Sequence, residues 1–226
     1  KKRAKYLKNP DEWDWILQDP VVNNFSPALF LLEQAGYLTL TEHIRKKSKG
    51  LYWQAVAIYL RQENKIKNVL NYLCRENMKM IPLKGAALQG SIYKKIGLRS
   101  MADIDILIQE ENYIHAAELL IKKGLKPKWP YKNDDPFEFA KLPKEFWPGE
   151  LSFYDGNMLH LDLHRDLVTY HWFKIAYPLE IKSIWNRSVQ IKEQSNLTNS
   201  TTIWNTLLCP YDMLAHMCLH LALHGL

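Results

Sequence analysis

The sequence predicts an α+β fold, with a small mixed β-sheet flanked by helical regions on its N-terminal and C-terminal sides. Three stretches predict it. Residues 51–80 place Leu51, Ala55, Ile58, Val69, Leu70 and Leu73 at roughly helical spacing with no Pro or Gly between them. Residues 102–108 alternate instead, with Asp103 and Asp105 on one side and Ile104, Ile106 and Ile108 on the other, which is the period of a strand. Residues 151–154 and 158–164 enclose Asp155-Gly156-Asn157, a strong hairpin signal.

The remaining elements follow in chain order. Shorter helices are expected over 27–35 and 39–48, parted by Gly36. Lys79–Leu83 is a short apolar stretch ending at Lys84-Gly85, and a helix over Ala86–Lys95 would be stopped by Gly97. Glu110–Lys123 reads as a helix closed by Gly124. Residues 126–148 are rich in Pro, Lys and aromatics, as a long loop is, with a strand starting near Lys126. Residues 178–208 show no clear pattern, and Pro210–Leu226 reads as a capped helix with Asp212 in its first turn. The divisions are a helical region 1–78, a sheet-bearing domain 79–177, and a C-terminal helical region 178–226 that breaks off within its apolar pattern and is expected to be truncated.

Composition narrows the class. With 226 residues, 47% hydrophobic and 24% charged, the chain has the balance of a folded domain and enough length to bury a core. No apolar run approaches the roughly 18 residues of a membrane span, and the basic start (Lys1, Lys2, Arg3, Lys5, Lys8) leads into no apolar signal stretch. Three cysteines, Cys74, Cys209 and Cys218, without a Cys-x-x-Cys pair fit a reducing cytoplasm. A net charge of +6 suits a polyanion such as a triphosphate, but the basic residues are scattered and form no continuous nucleic-acid track.

The carboxylates are the sharpest feature. Asp103 and Asp105 stand two apart on a predicted strand, so their side chains leave one face with Cα atoms roughly 6–7 Å apart. Two carboxylates side by side among apolar residues need cations, and magnesium takes carboxylate oxygens while leaving sites for phosphate and water. In Leu159-His160-Leu161-Asp162-Leu163-His164 the leucines share one face, and His160, Asp162 and His164 the other. If that strand lies beside the first, Asp162 is a third carboxylate at the same place. Pro82-Leu83-Lys84-Gly85-Ala86-Ala87-Leu88 is a strand end entering a helix, where free N–H groups and the Lys84 ammonium can meet phosphate.

The run IPLKGAALQGSIYKKIGLRSMADIDILI followed by HLDLH resembles the uncharacterised bacterial nucleotidyltransferase family of the polymerase-β superfamily, over roughly residues 75–226. The resemblance implies a palm-like sheet on which Asp103, Asp105 and Asp162 bind two magnesium ions, manganese being an alternative, with Asp162 helping to deprotonate the acceptor hydroxyl. It implies nucleotide contacts at Lys84, Gly85, Ala86 and Arg99; His164 and Arg165, just after Asp162, are candidate substrate contacts by position. The donor would be an NTP, ATP first, and the acceptor a small molecule, a peptide or a protein. Where the wider superfamily has Gly-Ser, this chain has Gly85-Ala86, so one hydroxyl contact to phosphate is missing. Loss of Asp103 or Asp105 is expected to abolish transfer with little harm to folding. The competing readings are a non-catalytic, antitoxin-like module on the same fold and a terminal nucleotide adder acting on RNA.

Two further groups invite a function. His216, His220 and His224 recur every four residues, which sets them near one helical face. Helical neighbours alone rarely complete a zinc site, so this face is expected to line a cleft or hydrogen-bond in the core, with Cys218 off the face and in the core. Trp129, Tyr131, Phe146, Trp147 and Trp172 can stack on a base, although packing of a long loop on the sheet is the better-weighted reading.

Overall fold

The structure is a computed structural model that describes residues 26–89, 95–98, 103–128, 136–157, 159–168, 178–190, 204 and 206–224. It is mixed α+β, as expected, with a five-stranded mixed sheet and six α-helices among the described residues. Two compact units divide the chain: residues 1–64 with 93–101, and residues 65–92 with 102–226.

The first unit is helical. Helix α1 (Ser26–Gln34) ends before Gly36, and α2 (Glu42–Arg75) follows after a short link, its residues from Lys65 on belonging to the second unit. Leu40 and Ile44 are buried and pack with Leu29 and Leu38. Glu33 fixes the link: its carboxylate accepts the Leu40 N–H at 2.8 Å and the Arg45 guanidinium at 2.9 Å through both Nε and Nη2. The two helices expected over 39–48 and 51–80 are one 34-residue helix, because Gly50 stays helical. One glycine weakens a helix by about 1 kcal/mol, which a helix this long absorbs. Gly97 has a different reason to be glycine: its φ is +80°, and a Cβ there would stand 2.5 Å from Val56 Cγ2.

The second unit is built on the sheet. Its strands are β1 (Met80–Pro82), β2 (Ile104–Ile108), β3 (Lys126–Pro127), β4 (Glu150–Tyr154) and β5 (His160–His164), in spatial order β1-β2-β5-β4-β3. Only the central β2–β5 pair is parallel. Of the helix expected over 86–95, the described residues show α3 (Lys84–Leu88), which begins two residues earlier and stops where Gln89 turns extended; residues 90–94 lie outside the described residues. A 3₁₀ turn at Glu110–Asn112 leads into α4 (Tyr113–Lys122). Gly124, at φ +97°, closes α4: its N–H bonds the Ile121 carbonyl and the Leu125 N–H bonds that of Leu120, a Schellman arrangement. The β4–β5 turn is held by Asp155, whose Oδ1 accepts the N–H groups of Asn157 at 2.9 Å and Leu159 at 3.0 Å. Residues 178–208, patternless in sequence, contain α5 (Ile181–Arg187) and a short ribbon of β6 (Val189–Gln190) and β7 (Thr206–Leu207). Helix α6 (Pro210–His224) ends the described chain.

Alternation splits the sheet into two faces. Ile104, Ile106, Ile108, Leu151, Phe153, Leu161 and Leu163 fill the main core with α4 and with Ile66, Val69, Leu70 and Leu73 from the end of α2. On the opposite face, Ile81, Leu83 and Leu107 join Leu167, Ile184 and Leu208 in a smaller cluster that covers part of the sheet. The polar residues of that second face form the candidate site.

Candidate active site

The parallel register of β2 and β5 decides what meets. Asp105 is the cross-strand partner of Asp162, and Leu107 that of His164. Paired residues on neighbouring strands project to one face, so Asp105 and Asp162 are side by side, with Asp103 two residues earlier on β2. Asp103 lies at the exposed entrance to the strand, Asp162 is partly buried and Asp105 is buried. The Asp103 carboxyl is held above the usual carboxylate range, first by loss of water and then by the charges of Asp105 and Asp162. Three acidic groups therefore share one field.

Asp105 is compensated from within the protein. Lys84 Nζ donates to its Oδ1 at 2.6 Å, and His164 Nε2 lies 2.9 Å from the same oxygen. Burial pushes the Asp105 carboxyl up, but the bonds to His164 and Lys84 outweigh it and bring it down to about 2. The ionised carboxylate can only accept, so Nε2 of His164 carries the hydrogen. The other ring nitrogen, Nδ1, is buried with no hydrogen-bond partner among the described residues, and Glu150 Oε2 stands 3.8 Å from it. Lys84 reaches Asp105 because the Leu83 N–H bonds the Asp105 carbonyl at 2.9 Å, carrying the β1–β2 pairing one residue past the strand. Lys84 itself has φ +45°, a left-handed backbone that an L-residue adopts at a penalty of about 1 kcal/mol or more.

Asp103 and Asp162 have no cation at hydrogen-bonding distance among the described residues. Nor, among those residues, do three His, Cys, Asp or Glu side chains stand together in an arrangement that would hold a metal ion. Oδ1 of Asp105 is taken by Lys84 and His164. Asp105 is thus the most strongly anchored of the three, so the two aspartates differ in what their removal would do to folding. Asp103 stands in a repulsive field, whereas Asp105 stands in an attractive one.

The other residues singled out in sequence fall in several places. Ala86 is buried with its methyl in the main core, so no side chain at that position faces outward, and Gly85 is only half-buried. Arg99 lies outside the described residues, as do Trp129, Tyr131 and Trp172. Arg165 is buried and uses its guanidinium on protein acceptors: Glu110 Oε1 at 2.6 Å, and the carbonyls of Pro148 at 3.1 Å, Lys144 at 2.6 Å and Trp147 at 3.0 Å. It ties the loop before β4 to the end of β5. Trp147 packs against the core and meets Phe139 edge-on with ring centroids 5.8 Å apart, while Phe146 is exposed. Cys218 is exposed, not in the core as expected: two residues of helix rotate it about 200° away from buried His216.

His216 is 2% exposed, and neither ring nitrogen has a hydrogen-bond partner among the described residues. It lines a cavity of about 190 Å³ with Leu167, Ile184 and Leu219. Burial, then the neighbouring His164 and Lys84, bring its pKa down to about 4, so it is neutral near pH 7. His216 thus lines a cleft, one of the two roles expected of this face. Sequence reasoning passed over Glu150 and Ser152, which pair with His164 and Asp162 across β4–β5. The alternation of β4, with Leu151 and Phe153 inward, is the signal that placed them on the site face.

Among the described residues no helix is long and apolar enough to cross a membrane. No curated protein and no solved structure matches the chain. The model of a family described as uncharacterised nucleotidyltransferase matches residues 9–226, well beyond the 75–226 over which the resemblance was read, and the chain belongs to that family.

Proposed function

We propose that the protein transfers a nucleoside monophosphate from an NTP, ATP in the first instance, to an acceptor hydroxyl, with pyrophosphate leaving. The observation that carries this reading is the parallel register that sets Asp105 beside Asp162, with Asp103 two residues upstream on the same face. In chemical kind the three carboxylates are the oxygen donors that divalent magnesium, or manganese in its place, prefers, and a hard cation relieves their mutual repulsion, although as placed they do not form a ready metal cluster. In this reading Asp103, Asp105 and Asp162 hold two such ions. When bound, the ions neutralise charge on the phosphates and favour in-line displacement at the α-phosphorus. Asp162 additionally draws the proton from the acceptor hydroxyl. The backbone of Gly85 and Ala86, with Lys84 and Arg99, orients the triphosphate; the buried Ala86 methyl leaves that task to N–H groups and cations.

A second reading has one observation in its favour. Lys84 and His164 already neutralise Asp105, as they would in a non-catalytic, regulatory module that keeps the fold and has no need of metal. Calorimetric titration with ATP, GTP, CTP and UTP, with and without magnesium, separates the two. The catalytic reading expects magnesium-dependent binding of at least one nucleotide, lost in the Asp103→Ala/Asp105→Ala double variant when that variant is shown to be folded. Binding of no nucleotide under any metal condition would sink it and leave the regulatory module.

A further inference from the structure

Lys84 and His164 share one oxygen of Asp105 but differ in their freedom to leave it. His164 is on the central strand β5, 1% exposed, with its ring fixed between Asp105 and the neighbourhood of Glu150. Lys84 sits at the strand-to-helix turn, its side chain is 20% exposed, and its four-carbon stem can reorient the ammonium without moving the backbone. A divalent cation on Asp105 would stand within a few ångströms of that ammonium. Two cations so close repel strongly unless anions are added between them, by enough to weaken metal binding about ten- to a hundredfold. The phosphates of an NTP are such anions, and they would arrive at the turn that carries Lys84.

We propose that Lys84 is a counter-ion latch on Asp105: its ammonium takes the place of the metal charge in the nucleotide-free protein and is released to the phosphates of the incoming NTP, so that metal and nucleotide bind together and not in turn. This rests on the reading that Asp103, Asp105 and Asp162 hold the metal. The latch prevents three carboxylates from collecting a stray divalent ion before substrate is present, and it makes the lysine a positioning residue for the metal as well as a phosphate contact. The left-handed backbone at Lys84 is consistent with a side chain held to Asp105 at some local strain.

The test is manganese binding followed by the loss of the free-ion paramagnetic resonance signal, with and without the non-hydrolysable α,β-methylene analogue of each NTP. Wild type, Lys84→Met, Lys84→Gln and Lys84→Arg are compared, with thermal melts confirming folding; the glutamine keeps a hydrogen bond to Asp105 where the methionine fails to fold. The expected result is weak manganese binding to the wild type alone, tightened at least about tenfold by an analogue. The uncharged variants should bind manganese alone about ten- to a hundredfold tighter than wild type and gain little from the analogue, while Lys84→Arg behaves as wild type. If wild type and the uncharged variants bind manganese alone equally well, and Asp103→Asn/Asp105→Asn abolishes it, the metal site stands and the latch is overturned. If manganese binds to no form, with or without any analogue, the metal reading falls and the latch with it.

Discussion

The two faces of the central sheet are built from the same strands by simple alternation, yet they hold together differently. On one, Ile104, Ile106, Leu161 and Leu163 are at most 3% exposed and pack in the main apolar core. Their contribution is additive in area, about 25 cal/mol per Å² removed from water, and tolerant of which apolar group supplies it. On the other, Asp105 and His164 are as deeply buried, at 2% and 1%, but are stable there only through one another and Lys84. The apolar face depends on volume. The polar face depends on charge balance, and only that face can respond to a ligand that brings charge.

Substitutions that act on one face alone sharpen the contrast. The largest expected effect is on the apolar face: Leu163→Ala, on the central strand and fully buried, should cost about 3–4 kcal/mol in urea unfolding, while nucleotide binding per folded molecule is unchanged. An altered nucleotide affinity there would mean that the faces are not independent. Next comes Asp105→Asn, which keeps shape and removes charge. It leaves His164 and Lys84 without their anion and should cost about 2–3 kcal/mol near pH 7, with loss of transfer.

The wild-type pH dependence carries the same information. The Asp105 pKa is depressed to about 2 in the folded state, so its contribution, about 2 kcal/mol, is complete above the ordinary carboxylate value and is lost as pH falls from about 4 towards 2. Asp105→Asn should flatten that part of the stability–pH curve. A curve of unchanged slope would show that the Lys84–Asp105–His164 group does not form.

The smallest effect, and of opposite sign, is at Asp103. Its pKa is raised, so the ionised carboxylate opposes folding once pH passes that value. Asp103→Asn should stabilise the apoprotein near pH 7 by a few tenths of a kcal/mol, an amount kept small by solvent screening at an exposed group, and still abolish transfer. Destabilisation by Asp103→Asn would mean that this carboxylate, too, has a cation within the fold.

Local pattern made much of this legible. The period-two alternation of residues 103–108 and 159–164 gave the strands and their two faces, because a strand cannot choose which side a residue leaves. Asp155-Gly156 gave the hairpin and Gly124 the end of α4, since those backbone conformations are local. Residues 178–208 stayed unreadable because β6 and β7 are two residues each and exist only through each other. Cys218 was misplaced because α6 shows little difference between its sides, and which of them is buried depends on what it packs against.

By itself, then, the sequence determined the α+β class, the strands that carry the site, and the three aspartates as members of polar strand faces, since each follows from spacing along the chain. Tertiary structure decided the rest. It set β5 parallel to β2 with Asp162 opposite Asp105, used Arg165 to tie a loop, and buried the Ala86 methyl in the core. It also brought Lys84 and His164, 80 positions apart, to one oxygen of Asp105. Charge compensation acts over a few ångströms of space and has no signature in chain separation, so only the folded arrangement shows which cation answers which carboxylate.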